Sequence, residues 1–159
     1  LFRSIDSRMV ALAHTGGISC PQQVMMVLCA LFELMDGKKA YKATIHHILA
    51  ERVRLLEESL GEGALLHGPE YSHYYAMLDL PRVAEGLLGT KHAEKFASEE
   101  ALFAFLLHLA EHEGAVCLPG GGFGGPDTTF RISLANLDTD AYRTLGKRIA
   151  MALRHLNGS

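Results

Sequence analysis

The hydrophobic and polar positions of this chain follow a helical spacing in some stretches and a strand spacing in others. Apolar residues recur every three or four positions over 21–36, 39–60, 99–113 and from about 138 to 156, which predicts four long helices. Short apolar runs at 73–80, 115–118 and 128–134 predict strands, and a short helix is expected over 81–88. This order predicts an α/β domain, more closely an α+β sandwich, with helices packed on a small sheet.

The apolar stripes also predict which side of each helix is buried. The first helix is apolar almost all round, so we expect it to be buried on more than one side. In the second helix the charged residues form the predicted solvated face: Glu51, Arg52, Arg54, Glu57 and Glu58. In the third helix, which Ser98 is expected to cap, the predicted apolar stripe is Leu102, Phe103, Leu106, Leu109 and Ala110. The last helix is predicted to turn inward Tyr142, Leu145, Ile149, Ala152, Leu153 and Leu156.

A glycine-rich segment, residues 120–125, lies between the last two predicted strands. Five of its six residues are glycine and the other is Phe123. Because glycine loses more backbone freedom on folding than other residues, such a segment indicates unusual dihedral angles or a close approach of the backbone to another group. A hairpin loop and a loop held close to a ligand are both consistent with this composition.

Arg131 is the one charged residue of the strand that follows the glycines. Alternation puts Phe130, Ile132 and Leu134 on one face of this strand, and Arg131 on the other together with Thr129 and Ser133. That polar row would suit an anionic ligand. Two hypotheses remain open for Arg131: a structural ion pair with Asp79 or Asp127, or a guanidinium that binds a substrate carboxylate through two parallel hydrogen bonds.

Two motif matches point to other chemistry, but their surroundings argue against both. Gly120, Gly122 and Gly125 have the spacing of a dinucleotide-binding loop, which requires a helix after the last glycine, whereas a strand follows here. His108, Glu111 and His112 match the pattern of an inverted zinc peptidase. They lie opposite the apolar stripe and have no evident third ligand, so we expect a solvated helix face and no metal site.

Composition narrows the class of protein. The 159 residues suit one domain, and the net charge of −3 gives no indication of a nucleic-acid partner. No apolar run reaches the roughly 18–20 residues of a membrane span. Three cysteines without a Cys-x-x-Cys spacing indicate a reducing, cytoplasmic location. No signal peptide is recognisable, and the absence of an initial methionine suggests a piece of a longer protein.

Three segments, in the same order, resemble one enzyme family. They are HTGGISCPQQ at 14–23, YYAMLDL at 74–80 and the run LPGGGFGGP at 118–126 followed by FRISLANL at 130–137. Together they resemble the C-terminal part of the PLP-dependent class I/II aminotransferases. The glycine run and the strand after it are similar, more narrowly, to the aspartate 4-decarboxylases, which both transaminate aspartate and remove its β-carboxylate.

The resemblance implies the small C-terminal domain of PLP fold type I. Residues 1–20 would end the large PLP domain as a dimer-side loop, and residues 21–159 would form the connecting helix and the small domain. Arg131 matches the family's arginine for the substrate α-carboxylate. Candidate residues for the active-site rim are Thr15, Ser19, Gly122 and Phe123. Amino acids, aspartate among them, and 2-oxo acids are the implied substrates, and a homodimer or higher oligomer is the implied assembly.

One element of the family is missing from the sequence. None of the lysines lies in the Ser-x-x-Lys context of the family's Schiff-base lysine, so this chain is expected to supply no catalytic residue. Pyridoxal 5'-phosphate is therefore expected in the intact enzyme and not on this chain alone, which would be inactive. The alternative hypothesis is a non-catalytic α/β domain that binds small anions or mediates oligomer assembly.

Overall fold

The computed structural model describes residues 19–61, 63–65 and 74–158. The chain divides into two compact units, Leu1–Thr44 and Ile45–Ser159. The predicted rim residue Thr15 and the first of the three resembling segments, up to residue 18, lie outside the described residues.

The described part of the first unit holds helix α1, Cys20–Met35, and the beginning of helix α2, Ala40–Leu60. The Gln22 side-chain oxygen accepts hydrogen bonds from the backbone N–H and the hydroxyl of Ser19, which fixes the start of α1. The Asp36 carboxylate accepts from the backbone N–H groups of Ala40 and Tyr41, at 3.1 and 2.9 Å, and so caps α2.

The prediction that α1 is buried on more than one side is wrong, since none of its residues is buried. Among the described residues of this unit, α1 has the beginning of α2 to pack against. The contact between them includes an edge-to-face pair of the Phe32 and Tyr41 rings, whose centres are 5.4 Å apart, and an ion pair between Glu33 and Lys42. An apolar sequence alone therefore did not determine burial here.

The second unit contains the rest of α2 and the remaining elements. Their bounds are β1 Tyr75–Asp79, α3 Leu80–Leu88, α4 Thr90–Ala93, α5 Glu99–Glu113, β2 Leu118–Pro119, β3 Thr129–Ser133 and α6 Ala141–Gly158. Two short 3-10 turns, Glu94–Phe96 and Gly121–Phe123, lie among them. With six helices and one three-stranded sheet in the described residues, the predicted α+β fold class is confirmed.

The sheet is antiparallel throughout, with strand order β1-β3-β2. The central strand β3 pairs along its whole length with β1, but β2 contributes only Leu118 and Pro119. The strand predicted over 115–118 is thus displaced: Ala115 is buried among core residues, and pairing with β3 begins only at Leu118.

The core of the second unit lies between one face of the sheet and helices α2, α3, α5 and α6. Its largest fully buried side chains include Tyr142, Phe105, Phe130, Leu78, Leu102, Leu109, Leu134 and Ile149. The predicted inner face of the last helix is confirmed, with Leu156 partly buried. In α5, however, Phe103 is 51% exposed and Phe105 is buried, because a stripe through Leu102 and Leu109 continues through 105 and 106.

No helix in the described parts of the chain combines the length and apolarity that crossing a membrane would require.

Candidate functional site

Arg131 occupies the middle of the central strand. Its backbone neighbours are Met77 on β1 and Leu118 on β2, and its side chain is half-buried on the face of the sheet that turns away from the core. Alternation along β3 puts Phe130 and Ile132 into the core on the opposite face, as predicted. The sheet therefore holds Arg131 between two strands, which restricts where its guanidinium can reach.

The proposed structural ion pair of Arg131 does not form. The Asp79 carboxylate instead accepts a hydrogen bond from the Thr128 hydroxyl at 2.9 Å, and neither Asp79 nor Asp127 lies within ion-pairing distance of Arg131. Within the described ranges, Arg131 has no hydrogen-bonding or carboxylate partner on its side chain. A half-buried cation without an anionic partner is unfavourable, which leaves room for an anionic ligand.

Aromatic rings, rather than carboxylates, surround the Arg131 guanidinium. Its central carbon lies 3.4 Å from the centre of the Phe123 ring and 4.3 Å from the centre of the Tyr75 ring. Both distances are within the ~6 Å at which a cation is attracted to the face of an aromatic ring. Tyr75 is the first residue of β1, whereas Phe123 belongs to the glycine-rich segment, so two separate parts of the chain meet at this side chain.

The glycine-rich segment forms the loop of the β2–β3 hairpin. The Gly120 N–H donates to the Thr129 carbonyl at 2.7 Å, and the Gly120 carbonyl accepts from Phe123 and Gly125 at 2.8 and 3.1 Å. A left-handed Gly124, with φ of 77°, closes the turn. The hairpin-loop hypothesis is thus confirmed, and the hypothesis of a loop held close to a ligand stays a prediction.

Thr129 is completely buried and does not join Arg131 in an accessible polar row, contrary to the prediction. The glycine-rich loop lies over Thr129, and the Thr129 hydroxyl donates to the Pro126 carbonyl at 2.6 Å. Gly120 and Gly125 make this cover possible, because a Cβ at Gly120 would overlap the Thr129 side chain and one at Gly125 would lie 2.7 Å from its hydroxyl. Ser133 remains partly accessible on the same face as Arg131.

A cavity of about 650 Å³ opens beside Arg131. Ser133, Asn136 and Thr144 supply side-chain polar groups to its wall, and Tyr75 supplies an aromatic ring. Of the described residues that line this cavity, the charged ones are Arg131 and Arg148. In a chain whose net charge is −3, a cavity lined by cations without acidic residues would favour an anion.

Hydrogen bonds from side chains of α2 and α6 hold the end of β3, two residues beyond Arg131. The Tyr142 hydroxyl donates to the Ser133 carbonyl at 3.0 Å and accepts from the Leu137 N–H at 3.3 Å. Arg52 donates to the Leu134 carbonyl at 2.5 Å. Arg52 therefore does not belong to the solvated face of α2, because its side chain turns toward the end of this strand and over the Tyr142 ring.

The other predicted rim residues lie in different surroundings. Ser19 is exposed at the start of α1 in the first unit. Gly122 is exposed in the turn next to Phe123, with nothing within 4 Å of the position a Cβ would take. Both assignments to an active-site rim stay predictions.

The histidines of α5 form a stack. The His108 ring centre lies 4.3 Å from that of His112 and 4.8 Å from that of His155 on α6, and the rings are nearly parallel. Partial burial, and then the two neighbouring imidazoles, lower the pKa of His108. No group of three His, Cys, Asp or Glu suited to a metal occurs among the residues that the structure describes.

Sequence reasoning found Arg131, and the family resemblance named Phe123 as a rim residue, but neither predicted that the Phe123 and Tyr75 rings contact the Arg131 guanidinium. The pattern did hold a signal for Phe123, as the one side chain within the glycine run. Tyr75 could have been found from the alternation of β1, which puts it on the same face as Met77, the residue that pairs with Arg131. Arg148 had no comparable signal, since its place at the cavity depends on how α6 packs.

Comparison with known proteins supports the resemblance seen in the motifs. The chain is 40% identical over 151 residues to a protein from Pseudomonas sp. described as a bifunctional aspartate aminotransferase and L-aspartate beta-decarboxylase. The match covers 95% of this chain, but the chain spans only 28% of that relative's length. The similarity to this group that the motifs indicated is therefore confirmed. No family model matches the chain.

Proposed function

We propose that this chain is part of a PLP-dependent enzyme that decarboxylates aspartate at the β-carbon to alanine, transaminates amino acids, or does both, and that Arg131 binds the substrate α-carboxylate. The observation that carries the proposal is the half-buried Arg131 guanidinium, which has no acidic partner among the described residues and lies at a cavity whose described lining holds no acidic residue. The 40% identity to a bifunctional aspartate enzyme supports it.

The proposal puts the binding site for pyridoxal phosphate in another part of the intact enzyme. All six lysines, Lys38, Lys39, Lys42, Lys91, Lys95 and Lys147, are exposed, and none of them lines the Arg131 cavity. A lysine that forms an imine typically lies in a buried pocket, whereas these six side chains are exposed. In the proposal the cofactor, which acts as an electron sink for carbanions, is held by another part of the enzyme, and the chain alone is inactive.

The contribution of Arg131 in this proposal is orientation. A guanidinium presents parallel N–H donors that match both oxygens of a carboxylate. Because β3 is paired on both sides, the Cα of the bound amino acid would be held at a fixed position relative to the sheet. Positioning of this kind can contribute several kcal/mol to lowering a reaction barrier.

The test is steady-state kinetics of an intact enzyme that contains this chain, with aspartate as substrate. Arg131→Ala should raise KM by roughly 10- to 100-fold, because hydrogen bonds to a charged partner contribute about 1.5–3 kcal/mol. Arg131→Lys should recover only part of this loss, since an ammonium cannot bind a carboxylate in the same planar way. Arg154→Ala, at an exposed arginine of α6, is the matched control. Unchanged KM and kcat in Arg131→Ala would disprove the role.

The second candidate, a non-catalytic domain that binds small anions, is favoured by the cationic lining of the cavity. It predicts that the 159-residue chain binds acetate on its own, with NMR shifts around Arg131 that Arg131→Ala abolishes. If the intact enzyme showed no kinetic effect of Arg131→Ala while the chain still bound acetate, this candidate would replace the catalytic one.

A further inference from the structure

The contact between Arg131 and Phe123 restricts the orientation of the guanidinium. At 3.4 Å from the ring centre, the guanidinium carbon is at the distance of two stacked planar groups. A perpendicular guanidinium would push its N–H groups into the ring at this separation, so the two planes must be nearly parallel. All five donors of an arginine lie in the guanidinium plane and therefore point along the Phe123 ring instead of into it.

The Tyr75 ring, 4.3 Å from the same carbon, adds a second aromatic contact. It also contacts the Tyr74 ring edge-on, with the ring centres 5.2 Å apart, which limits its movement. With aromatic groups against the guanidinium and no acidic partner in the described chain, the donors remain available in one plane.

The hairpin loop determines where the Phe123 ring lies. Three backbone hydrogen bonds that involve Gly120 fold the loop onto the beginning of β3, and the loop rests on the buried Thr129, two residues before Arg131. Phe123 itself is 48% exposed and is not one of the core residues. Its contact with Arg131 accounts for its position better than a contribution to the core does.

We propose that Phe123 and Tyr75 are positioning residues that hold the Arg131 guanidinium in the plane required for two-pronged binding of a carboxylate, and that the glycine-rich loop serves to deliver the Phe123 ring. The inference rests on the proposed role of Arg131. In this proposal the glycine-rich loop positions the Phe123 ring in addition to joining β2 to β3.

The first test uses NMR of the 159-residue chain and does not depend on activity. Ring currents of Phe123 should shift the side-chain Nε–H signal of Arg131, so Phe123→Leu should move this signal and Phe123→Tyr should leave it nearly in place. Phe103→Leu, at another half-exposed aromatic residue, is the matched control and should not affect it. An Arg131 signal that is the same in Phe123→Leu and in the unaltered chain would overturn the proposal.

The second test measures kinetics with aspartate in an intact enzyme that contains the chain. Phe123→Leu should raise KM by roughly 3- to 10-fold with little change in kcat, since the interaction energy of a cation with an aromatic ring is modest. Phe123→Tyr and Tyr75→Phe, which keep the rings, should stay within about twofold of the unaltered enzyme, whereas Tyr75→Leu should resemble Phe123→Leu. Equal KM values for Phe123→Leu and Phe123→Tyr would contradict the proposal.

The two proposals fail in different ways. If Arg131→Ala leaves KM unchanged, the carboxylate-binding role is wrong, whatever the NMR experiment shows. If Arg131→Ala raises KM but Phe123→Leu changes neither KM nor the Arg131 signal, the role stands and the positioning by aromatic rings is wrong. Phe123→Leu combined with Arg131→Ala should be no worse than Arg131→Ala alone, because the ring acts only through the arginine.

Discussion

Gly120 and Thr129 lie so close that the glycine has no room for a side chain. A Cβ on Gly120 would overlap the Thr129 side chain and come within 2.7 Å of the Met77 sulfur. The two residues are also joined by a backbone hydrogen bond of 2.7 Å between the Gly120 N–H and the Thr129 carbonyl. Position 120 therefore requires glycine because of this close packing and not because of a positive φ.

Gly120→Ala should destabilise the second unit of the chain. The added methyl group must displace Thr129, which is fully buried, or open the loop that carries Phe123. Overpacking of this kind typically costs about 1–3 kcal/mol of unfolding free energy. Urea unfolding followed by circular dichroism measures the loss.

Gly122→Ala is the matched control for this prediction. It lies in the same turn with open space around its Cβ position and without a positive φ. The unfolding free energy of this variant should be unchanged or higher by up to about 1 kcal/mol, because alanine restricts the unfolded chain more than glycine does. Equal stability losses in the two variants would show that the close approach to Thr129 is not what requires Gly120.

The sequence alone could predict the long helices and the strands β1 and β3 of the second unit because their patterns reflect local physics. The stripe of α6 and the alternation of β3 were predicted correctly, since each follows the geometry of one element. The Ser98 cap was predicted correctly too, and its hydroxyl accepts from the Ala101 N–H at 3.2 Å. The α+β class followed from the order of these elements.

Features that depend on contacts between distant segments could not be predicted in the same way. The burial of Thr129 arises from a loop that folds back over it, and Arg52 turns inward because the end of β3 offers a carbonyl oxygen 82 positions away in the chain. Arg131 was identified as a candidate, but its aromatic neighbours come from two other segments. For helix α1 the apolar sequence predicted burial, but the described residues of its unit do not bury it.

Tyr142→Phe should weaken the anchor at the end of β3. The hydroxyl is buried and bonds both the Ser133 carbonyl and the Leu137 N–H, so its removal leaves these two groups without that partner. The expected loss is about 1–3 kcal/mol of unfolding free energy, measured by urea unfolding. Tyr41→Phe, where the hydroxyl belongs to an exposed side chain, should change stability by less than about 0.5 kcal/mol. A Tyr142→Phe variant as stable as this control would show that the two bonds contribute nothing.

Cys117 should be the slowest of the three thiols to react with iodoacetamide. It lies partly buried in the Arg131 cavity, and burial raises the pKa of its thiol to about 11, whereas Cys20 and Cys29 are exposed. Because the thiolate is the reactive form and burial disfavours it, only about one Cys117 in a thousand is ionised at pH 8.

Its labelling rate should rise roughly tenfold per pH unit between pH 8 and 10, as followed by mass spectrometry of the labelled peptides. In urea all three cysteines should react at similar rates, and Cys117→Ala should remove the slow phase. A Cys117 rate that levels off below pH 9 would contradict the prediction. That outcome would mean that the guanidinium groups of Arg131 and Arg148, which line the same cavity, stabilise the thiolate more than burial destabilises it.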